Sequence, residues 1–369
     1  MTSFTAIDHA HMACALRLAE RGLYTTQPNP RVGCVIAHAD EVVGEGWHQR
    51  AGEPHAEVFA LREAGARAHG ATAYVTLEPC AHHGRTPPCA DALIAAGIAR
   101  VVVACTDPNP KVAGGGLRRL MDAGIEVETG LMHEAALELN RGFFSRIERG
   151  RPWLRVKLAM SLDGRTALAN GQSQWITGEA AREDVQRWRA RSSAIMTASG
   201  TVLADDPRLT VRFNALSPDG VGGEGFSPLR VVLDRNLQTP QHAHVLDNTA
   251  PTLIVHAAGV KPTHAEFKRA ERVAVAVQDG HLDLHAVLRE LAARGVNELQ
   301  VEAGATLCGA LFQHGLVDEL LLYISPILLG DQARPLLALP LIFDMAAGRR
   351  LRVVDQRKVN DDLRLLLRE

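Results

Sequence analysis

The chain has 369 residues, of which 46% are hydrophobic and 22% are charged. A chain of this length exceeds what one hydrophobic core normally serves, so we expect two domains, and this much apolar surface argues against a disordered protein. The net charge of -2 at pH 7 offers no basic surface for a phosphate backbone, so we expect no nucleic-acid partner.

The first 22 residues lack the basic stretch and apolar core of a secretion signal, since Asp8, His9 and His11 interrupt them. No stretch approaches the roughly 18 unbroken apolar residues of a membrane span. The six cysteines in so long a chain indicate reduced thiols rather than a disulfide framework. We therefore expect a cytoplasmic protein that does not enter a membrane.

The first part of the chain alternates between helical and strand periodicity. Helices are predicted over residues 6–21, 55–68, 87–96 and 113–123, and strands over 32–37, 42–47, 72–77, 101–105 and 125–127. Proline in its first turn and Gly97 after its end support the third helix. The alternation is typical of an α/β layered domain.

The segment from Glu148 to Pro152 is charged and interrupted by glycine and proline, and we place the domain boundary there. The predicted domains are residues 1–148 and 151–369. In the second domain, strands are predicted over 153–160, 194–197, 229–233, 252–255, 299–301 and 319–324, and helices near 178–191, 283–294 and 305–314. Residues 214–227, rich in Gly, Pro and Ser, are predicted to form a surface loop.

The densest group of metal-binding residue types is His55, Cys80 and Cys89. One imidazole and two thiolates suit Zn²⁺, and three protein ligands leave a fourth position for water, as in a catalytic rather than a structural site. Each cluster stands where the chain is predicted to enter a helix, whose dipole favours a thiolate. The alternative is an ordinary surface histidine and two buried thiols.

Glu57 follows His55 by two residues, so its carboxylate can lie beside the metal without binding it. We expect Glu57 to carry a proton from the attacking water to a leaving amine. A His-x-Glu pattern followed by Pro-Cys-x-x-Cys is typical of zinc deaminases, but here eight residues separate the two cysteines. Cys14, Cys34, Cys105 and Cys308 lack such partners and are expected in the core.

Five runs of the first domain resemble the bifunctional riboflavin-biosynthesis deaminase/reductase family: Asn29–Gly33, Gly46–His48, Pro54–Glu57, Thr76–Cys89 and Asp107–Gly116. The spacing of eight residues between the two cysteines is distinctive of that family. The resemblance implies a cytidine-deaminase-like α/β/α domain. It also implies a substrate, 2,5-diamino-6-ribosylamino-4(3H)-pyrimidinone 5′-phosphate, that loses its 2-amino group. Phe59 and Ala81 stand where more polar residues are expected in relatives.

Asn29 and His48 are candidate contacts to the edge of the substrate ring. A turn residue before Pro30 and an exposed histidine at the end of a strand are the alternatives. His82, His83 and Arg85 could reach the substrate from the loop between the cysteines. The alternative for each is a solvent-exposed loop residue without a role in binding.

Residues Gly220–Gly225 spell G-x-G-x-x-G. A dinucleotide-binding fingerprint needs a strand before it and a helix after it, and neither is predicted here. We therefore do not assign this pattern to a nucleotide. Gly304 instead ends a predicted buried strand and leads into a helix whose free N–H groups could hold a phosphate. Trp175 stands among polar residues and could stack on a flat ring, the alternative being a core tryptophan.

Four segments of the second domain, Lys157–Thr166, Ser173–Thr177, Thr201–Pro207 and Val301–Leu307, resemble the reductase half of the same family. The resemblance implies a dihydrofolate-reductase-like α/β fold that binds NADPH and reduces the ribosyl group to ribityl. It places the cofactor at Ala159, Trp175, Thr201, Asp205, Gly304, Ala305, Thr306 and Leu307. It places the ribosyl substrate at Ser173, Arg189, Leu209, Arg212 and Glu302.

The two arginines of that set suit the substrate phosphate because guanidinium groups donate paired hydrogen bonds to phosphates. Lys157 and Asp205 are candidate polar groups near the hydride acceptor. Two other functions remain open at this point: a nucleoside or tRNA base deaminase fused to an unrelated nucleotide-binding domain, and a binding protein with structural zinc. The only partner predicted is the small pyrimidine ribosyl phosphate, and a homo-oligomer is left open.

Overall fold

The computed structural model describes residues 4–81, 88–110, 112–212, 227–260 and 270–369. His82, His83, Arg85 and the Gly220–Gly225 pattern lie outside the described residues. The chain divides into two compact units, Met1–Gly150 and Arg151–Glu369. None of the helices in these described ranges is long and apolar enough to cross a membrane.

The first unit is built on a five-stranded sheet with the order β2-β1-β3-β4-β5. β1 pairs antiparallel with β2 and β3, whereas β3, β4 and β5 run parallel. The strands are β1 (Gly33–His38), β2 (Glu41–Trp47), β3 (Thr72–Val75), β4 (Arg100–Val103) and β5 (Glu126–Thr129). The helices are α1 (Ala6–Glu20), α2 (Ala56–Ala64), α3 (Cys89–Ala95), α4 (Gly115–Asp122) and α5 (His133–Arg149).

Helices cover both faces of this sheet, which confirms the predicted α/β/α layers. On one face, apolar residues of α2, α3 and α4 form a core with alternate strand residues. On the other face, α1 and α5 form a second core with the remaining strand residues. The central strands β1, β3 and β4 are buried on both faces, which explains why their sequences are largely apolar rather than alternating.

Two glycines of β2 allow α2 to lie unusually close to the sheet. A Cβ atom on Gly46 would lie 2.3 Å from the carbonyl oxygen of Ala56, and one on Gly44 would lie 2.2 Å from that of Ala60. Any larger residue would push the helix away from the strand. These contacts therefore fix the N-terminal turn of α2, which carries His55 and Glu57, against the sheet.

The second unit is built on a nine-stranded sheet with the order β11-β10-β9-β8-β14-β6-β15-β18-β17. The seven strands from β11 to β15 are parallel, and β18 and β17 extend the sheet antiparallel. The sheet comprises β6 (Trp153–Ser161), β8 (Ala194–Ala198), β9 (Leu229–Leu233), β10 (Thr252–Ala257), β11 (Glu271–Val275), β14 (Glu298–Val301), β15 (Glu319–Ser325), β17 (Arg352–Val359) and β18 (Asp362–Arg368).

Two short ribbons complete the strands, formed by β7 (Arg165–Ala167) with β16 (Arg334–Pro335) and by β12 (Val277–Gln278) with β13 (His281–Leu282). The helices are α6 (Glu179–Ala190), α7 (Ser199–Asp205), α8 (Leu284–Ala293) and α9 (Ala305–Gln313). The largest core lies on the side of the sheet covered by α8 and α9. On the opposite side, α6 packs over β15 and β18.

The sheet face beneath α6 carries a buried ion network rather than a purely apolar core. Arg155 is fully buried and donates to Glu319 at 2.6 Å and to Glu298 at 3.0 Å. Arg368 donates to the other oxygen of Glu319, and the Arg155 guanidinium lies 4.5 Å from the ring centroid of Trp188. Each buried charge thus has an opposite partner.

Several elements were not predicted from the sequence. They include α5, α7, β11 and the terminal hairpin of β17 and β18. β17 is exposed along most of its length, so its sequence shows no alternation of apolar and polar residues. The stretch from Glu148 to Pro152, where we place the domain boundary, contains the end of α5, which continues to Arg149 and is followed by Gly150, whose φ is 64°. The third helix begins at Cys89 after Pro88, two residues later than predicted.

We predict that Arg155→Met lowers the free energy of unfolding of the second unit by about 3–5 kcal/mol, because it removes the cation between two buried carboxylates. Urea unfolding followed by circular dichroism measures this loss. Arg289→Met is the control, since that arginine is 66% exposed and lies 3.8 Å from Asp283, and we expect a change below about 1 kcal/mol. Equal effects of the two substitutions would contradict the prediction.

Candidate active sites

The structure brings together the three residues predicted to bind a metal. His55 is the N-cap of α2, Cys80 follows the strand β3, and Cys89 is the first residue of α3. Nδ1 of His55 lies 3.3 Å from Sγ of Cys89 and 3.6 Å from Sγ of Cys80. Their ligand atoms all lie within 4.8 Å of one another. In the part of the chain that the structure describes, no other such group of three His, Cys, Asp or Glu residues occurs.

The donor atoms of His55, Cys80 and Cys89 suit a divalent cation. The hydrogen bond from Cys89 lowers the pKa of the Cys80 thiol to about 4, and the same contact raises the pKa of Cys89. The hydrogen bond with Cys80 also raises the pKa of His55. The three donor atoms lie close enough together to bind one cation. One nitrogen and two sulfur donors suit Zn²⁺.

Glu57 lies in the first turn of α2 and is only 3% exposed. Its Oε2 has no hydrogen-bond partner among the residues that the structure describes, and burial raises the pKa of its carboxyl to about 7. Buried polar atoms without a partner are rare and unfavourable. An oxygen in this state, two residues from His55, can accept a proton near neutral pH and return it.

Asn29 and His48 contact each other rather than standing separately. Nδ1 of His48 lies 3.1 Å from the carbonyl oxygen of Pro54 and therefore carries the proton, which leaves Nε2 to accept from Nδ2 of Asn29 at 3.1 Å. His48 is buried, and burial lowers its pKa, so the ring stays neutral. The alternative of an exposed histidine at a strand end is wrong. His48 fixes the residue that precedes His55, and its ring packs edge-on against His55 at 5.4 Å.

Two of the remaining cysteines differ from the expectation of plain core thiols. Cys14 is only half-buried and donates to Glu45 at 3.1 Å. Cys105 is buried but has a histidine neighbour, since its Sγ lies 3.2 Å from Nδ1 of His133. Cys34 and Cys308 are buried as expected. The partners of Cys14 and Cys105 come from distant segments, so sequence proximity did not reveal them.

The second set of predicted residues gathers at the carboxyl ends of β6, β8 and β14. Ala159 lies near the end of β6, and Glu302 directly follows β14. The backbone of Glu302 is held by β8, because its N–H donates to Met196 and its carbonyl accepts from the hydroxyl of Thr197. Ligands of open parallel sheets bind at this edge.

Arg189 and Glu302, predicted separately as substrate contacts, form one ion pair. Nε and Nη2 of Arg189 donate to the two oxygens of Glu302, both at 2.7 Å, and Nη1 donates to the carbonyl of Thr210 at 2.9 Å. Arginine pairing lowers the pKa of Glu302 to about 2 despite its burial. The charge of Arg189 is therefore already balanced by Glu302, and its predicted contact with the substrate phosphate stays a prediction.

Gln300 was missed by sequence reasoning. It is fully buried, and its Nε2 donates to Oε1 of Glu302 at 2.8 Å. The signal was present, since Gln300 is a polar residue within an otherwise apolar buried strand. Lys157 is half-buried near the same carboxylate, burial lowers its pKa, and its Nζ lies 5.8 Å from the ring centroid of Tyr323.

The other predicted substrate contacts occupy different environments. The side chain of Leu209 is buried in a core cluster, so only its backbone could face a ligand. Arg212 is exposed, and its backbone N–H donates to Gln186 at 3.0 Å. Ser173 is half-buried in the loop before α6. The predicted contact at Leu209 therefore stays a prediction that only its backbone could fulfil, and Ser173 and Arg212 are accessible.

The predicted cofactor contacts are accessible. Trp175 is 66% exposed, which makes the alternative of a core tryptophan wrong, and the guanidinium of Arg182 lies 4.5 Å from its ring centroid. Thr201 and Asp205 lie on α7, half-buried and exposed respectively. Gly304 is the N-cap of α9, and a Cβ atom there would meet nothing within 4 Å. The first turn of α9, residues 305–307, thus begins at an open space.

Comparisons with known proteins identify the family. A model described as "Cytidine and deoxycytidylate deaminase zinc-binding region" matches residues 5–105, and one described as "RibD C-terminal domain" matches residues 152–364. The Riboflavin biosynthesis protein RibD of Escherichia coli (strain K12) is 52% identical over 365 residues, which cover 98% of this chain and 99% of that protein. The protein of the same name from Haemophilus influenzae is 46% identical, with 99% and 98% covered.

Solved structures agree. Acinetobacter baumannii RibD, form 1, is 46% identical with a TM-score of 0.90, and 98% of both chains is covered. The diaminohydroxyphosphoribosylaminopyrimidine deaminase/5-amino-6-(5-phosphoribosylamino)uracil reductase of Thermotoga maritima is 31% identical with a TM-score of 0.85, again over 98% of both chains. The chain belongs to this family of bifunctional deaminase/reductases.

Membership confirms the main expectations from the sequence. The protein is a deaminase and a reductase of riboflavin biosynthesis, with a cytidine-deaminase-like first unit and a dihydrofolate-reductase-like second unit. Zn²⁺ belongs to the deaminase unit and NADPH to the reductase unit. A base deaminase fused to an unrelated nucleotide-binding domain is not favoured, because the second unit matches the reductase domain of the same family.

Proposed function

We propose that His55, Cys80 and Cys89 hold the zinc ion and that Glu57 is the catalytic proton carrier of the deaminase. The observation that carries this proposal is the unpartnered, buried Oε2 of Glu57 beside a nitrogen and two sulfur donors. When bound, Zn²⁺ lowers the pKa of a water molecule so that it becomes a nucleophile near neutral pH. Glu57 accepts a proton from the attacking water and passes one to the leaving amine.

The substrate of this reaction is the 2,5-diamino-6-ribosylamino-pyrimidinone 5′-phosphate, which loses its 2-amino group as ammonia. Asn29 is the candidate contact to the ring edge, because its carboxamide can both donate and accept. His48 serves a different purpose from the one first expected. Both of its ring nitrogens are engaged, so it orients Asn29 and the segment before His55.

We predict that Cys89→Ala loses zinc and deamination, because two ligands hold the ion poorly, whereas reduction of the already deaminated substrate persists. Glu57→Gln should retain zinc and lose deamination by about a hundredfold or more, the scale of a lost general acid/base. Metal analysis and product mass, measured with and without NADPH, check both outcomes.

Cys308→Ala and Glu53→Gln are matched controls, since Cys308 is a buried thiol of the second unit and Glu53 is an exposed carboxylate near His55. Full zinc occupancy in Cys89→Ala would refute the ligand set. Near-normal deamination by Glu57→Gln would refute its role as proton carrier.

The reductase site is proposed at the carboxyl edge of the central sheet. The N–H groups of Ala305, Thr306 and Leu307 open α9 and suit a phosphate of NADPH, because a helix N-terminus favours an anion. Ala159, Trp175, Thr201 and Asp205 complete the cofactor side, with the uncovered face of the indole available for stacking. NADPH supplies the hydride that converts ribosyl to ribityl at C1′.

The ribosyl substrate is proposed to contact Ser173, the backbone of Leu209, Arg189, Arg212 and Glu302. Lys157 lies beside Glu302 and is the candidate proton donor to the sugar oxygen. Arg189 has five N–H donors and uses three of them on Glu302 and Thr210. Its remaining two can reach a phosphate, but Arg212, exposed and outside that ion pair, is the stronger candidate.

We predict that Arg212→Ala raises KM for the ribosyl substrate by about one to two decades, the loss expected for charge-assisted hydrogen bonds of roughly 1.5–3 kcal/mol. The affinity for NADPH and the rate of deamination should be unchanged. Steady-state kinetics of reduction, with and without the 5′-phosphate on the substrate, measure the effect.

Arg208→Ala is the control for this variant, because Arg208 is 60% exposed and pairs with Asp247. Arg189→Ala should in addition lower stability, since it leaves Glu302 buried without its cation. Weakened NADPH binding with normal substrate KM would assign Arg212 to the cofactor instead.

We also propose that residues 1–148 and 151–369 are the deaminase and reductase domains and that the protein works in the cytoplasm as a homo-oligomer. The proposal of a homo-oligomer rests on a group of exposed apolar side chains in the second unit. Leu341, Ile342, Phe343 and Met345 are 51–93% exposed, with Phe343 at 93%. A cluster of exposed apolar side chains marks an interaction surface, and most soluble oligomers are homo-oligomers.

Phe343→Ser with Met345→Ser is expected to lower the mass measured by light scattering after gel filtration. The control is Met121→Ser, a substitution of a 51% exposed residue in the first unit. An unchanged mass in the double variant, or a monomeric unsubstituted protein, would exclude this surface as the association site.

A further inference from the structure

Glu78 is a buried carboxylate that neither proposed reaction uses. It lies between β3 and Cys80 and is 5% exposed. Its Oε1 accepts from the backbone N–H groups of Gly116 at 3.0 Å and Leu117 at 3.4 Å. Its Oε2 accepts from those of Gly114 at 3.0 Å and Asp107 at 3.2 Å. One carboxylate thus binds four backbone donors from a segment about 30 to 40 residues away along the chain.

Within the described part of the chain, backbone N–H groups balance the charge of Glu78. Among the described residues, the structure records no ion pair for it. Gly116 and Leu117 lie in the first turn of α4, where the helix dipole and the free N–H groups favour an anion. Such a concave set of N–H groups is an anion-binding nest. Here the chain fills the nest with its own side chain.

The bound segment contacts the residues on both sides of the proposed zinc ligand Cys80, namely Pro79 and Ala81. A Cβ atom on Gly116 would lie 1.8 Å from the carbonyl oxygen of Pro79, so only glycine allows this approach. A Cβ atom on Gly115 would lie 3.7 Å from Cβ of Ala81. The start of α4 therefore packs against the residues immediately before and after Cys80, and the carboxylate of Glu78 holds it there.

We propose that Glu78 is a positioning residue of the deaminase site, which fixes Cys80 by binding Asp107 and the N-terminus of α4 and so holding that N-terminus against Pro79 and Ala81. This inference rests on the zinc ligands proposed above. It does not require Glu78 to touch the metal or the substrate. Groups that orient metal ligands commonly change metal affinity by 10–100-fold when they are replaced.

Glu78→Gln tests the proposal with little change in size. A carboxamide keeps one acceptor oxygen, but its NH₂ group would face two backbone N–H donors that then lose their acceptor. We expect zinc to leave this variant about tenfold to a hundredfold faster, as measured by its transfer to a chelating dye. The kcat/KM of deamination should fall in parallel with the loss of zinc, whereas reduction of the deaminated substrate should be unchanged.

Glu78→Ala allows a second measurement, the rescue of zinc retention by acetate, that distinguishes positioning of Cys80 from a purely structural role. Added acetate can refill the emptied nest, because it presents the same two oxygens to the same N–H groups. We expect acetate to slow zinc loss from Glu78→Ala and to leave zinc loss from the unsubstituted protein unchanged. Glu126→Gln is the matched control, since Glu126 is an exposed carboxylate of the same unit.

Zinc retention equal to that of the unsubstituted protein in a folded Glu78→Gln variant would overturn the inference. So would a lower melting temperature of both Glu78 variants with unchanged zinc loss, which would assign Glu78 a purely structural role. Faster zinc loss from Glu78→Ala that acetate does not slow would also count against it. An unsubstituted protein that neither binds zinc nor deaminates would instead refute the proposed function itself.

Discussion

A buried carboxylate needs hydrogen-bond donors or cations that balance its charge. In this protein, the partners of four buried glutamates explain which segments are held together and which carboxylate is the candidate to react. Glu78 is satisfied by four backbone N–H groups, and Glu302 is satisfied by the guanidinium of Arg189 and the amide of Gln300. Glu319 binds two arginines. Glu57 alone among these has a buried oxygen without a partner. The satisfied carboxylates hold segments together, whereas the unsatisfied one is the proposed proton carrier.

Close backbone approach is the second constraint, and it acts through a few glycines. Gly46 lets the start of α2 lie against β2, and Gly116 lets the start of α4 lie against Pro79. Both contacts place a helix N-terminus beside the group that contains His55, Cys80 and Cys89. Helix N-termini favour thiolates and other anions. The packing of these small residues therefore sets the electrostatics of the deaminase site as well as its shape.

The two units use the same physical device on different sheets. In each, functional groups stand where a strand ends and a helix begins, because free N–H groups are concentrated there. The first unit places its candidate metal ligands at the starts of α2 and α3. The second places an open turn at Gly304 and a paired charge at Glu302. The same arrangement, a helix N-terminus after a strand end, is thus found at both the candidate deaminase site and the candidate reductase site.

The sequence by itself determined the chemistry that depends on residue type and spacing. It indicated the candidate metal ligands, the acid next to them, the α/β class and the family, because donor atoms and strand–helix alternation are local properties. It did not reveal the terminal hairpin, since β17 is exposed along most of its length and shows no apolar alternation, and it also missed the helix α5. Only the tertiary structure decided which charges meet. The pairing of Arg189 with Glu302, the burial of the Leu209 side chain and the capture of α4 by Glu78 all join residues far apart in the chain. Such contacts depend on the packing of whole elements, which no local pattern encodes.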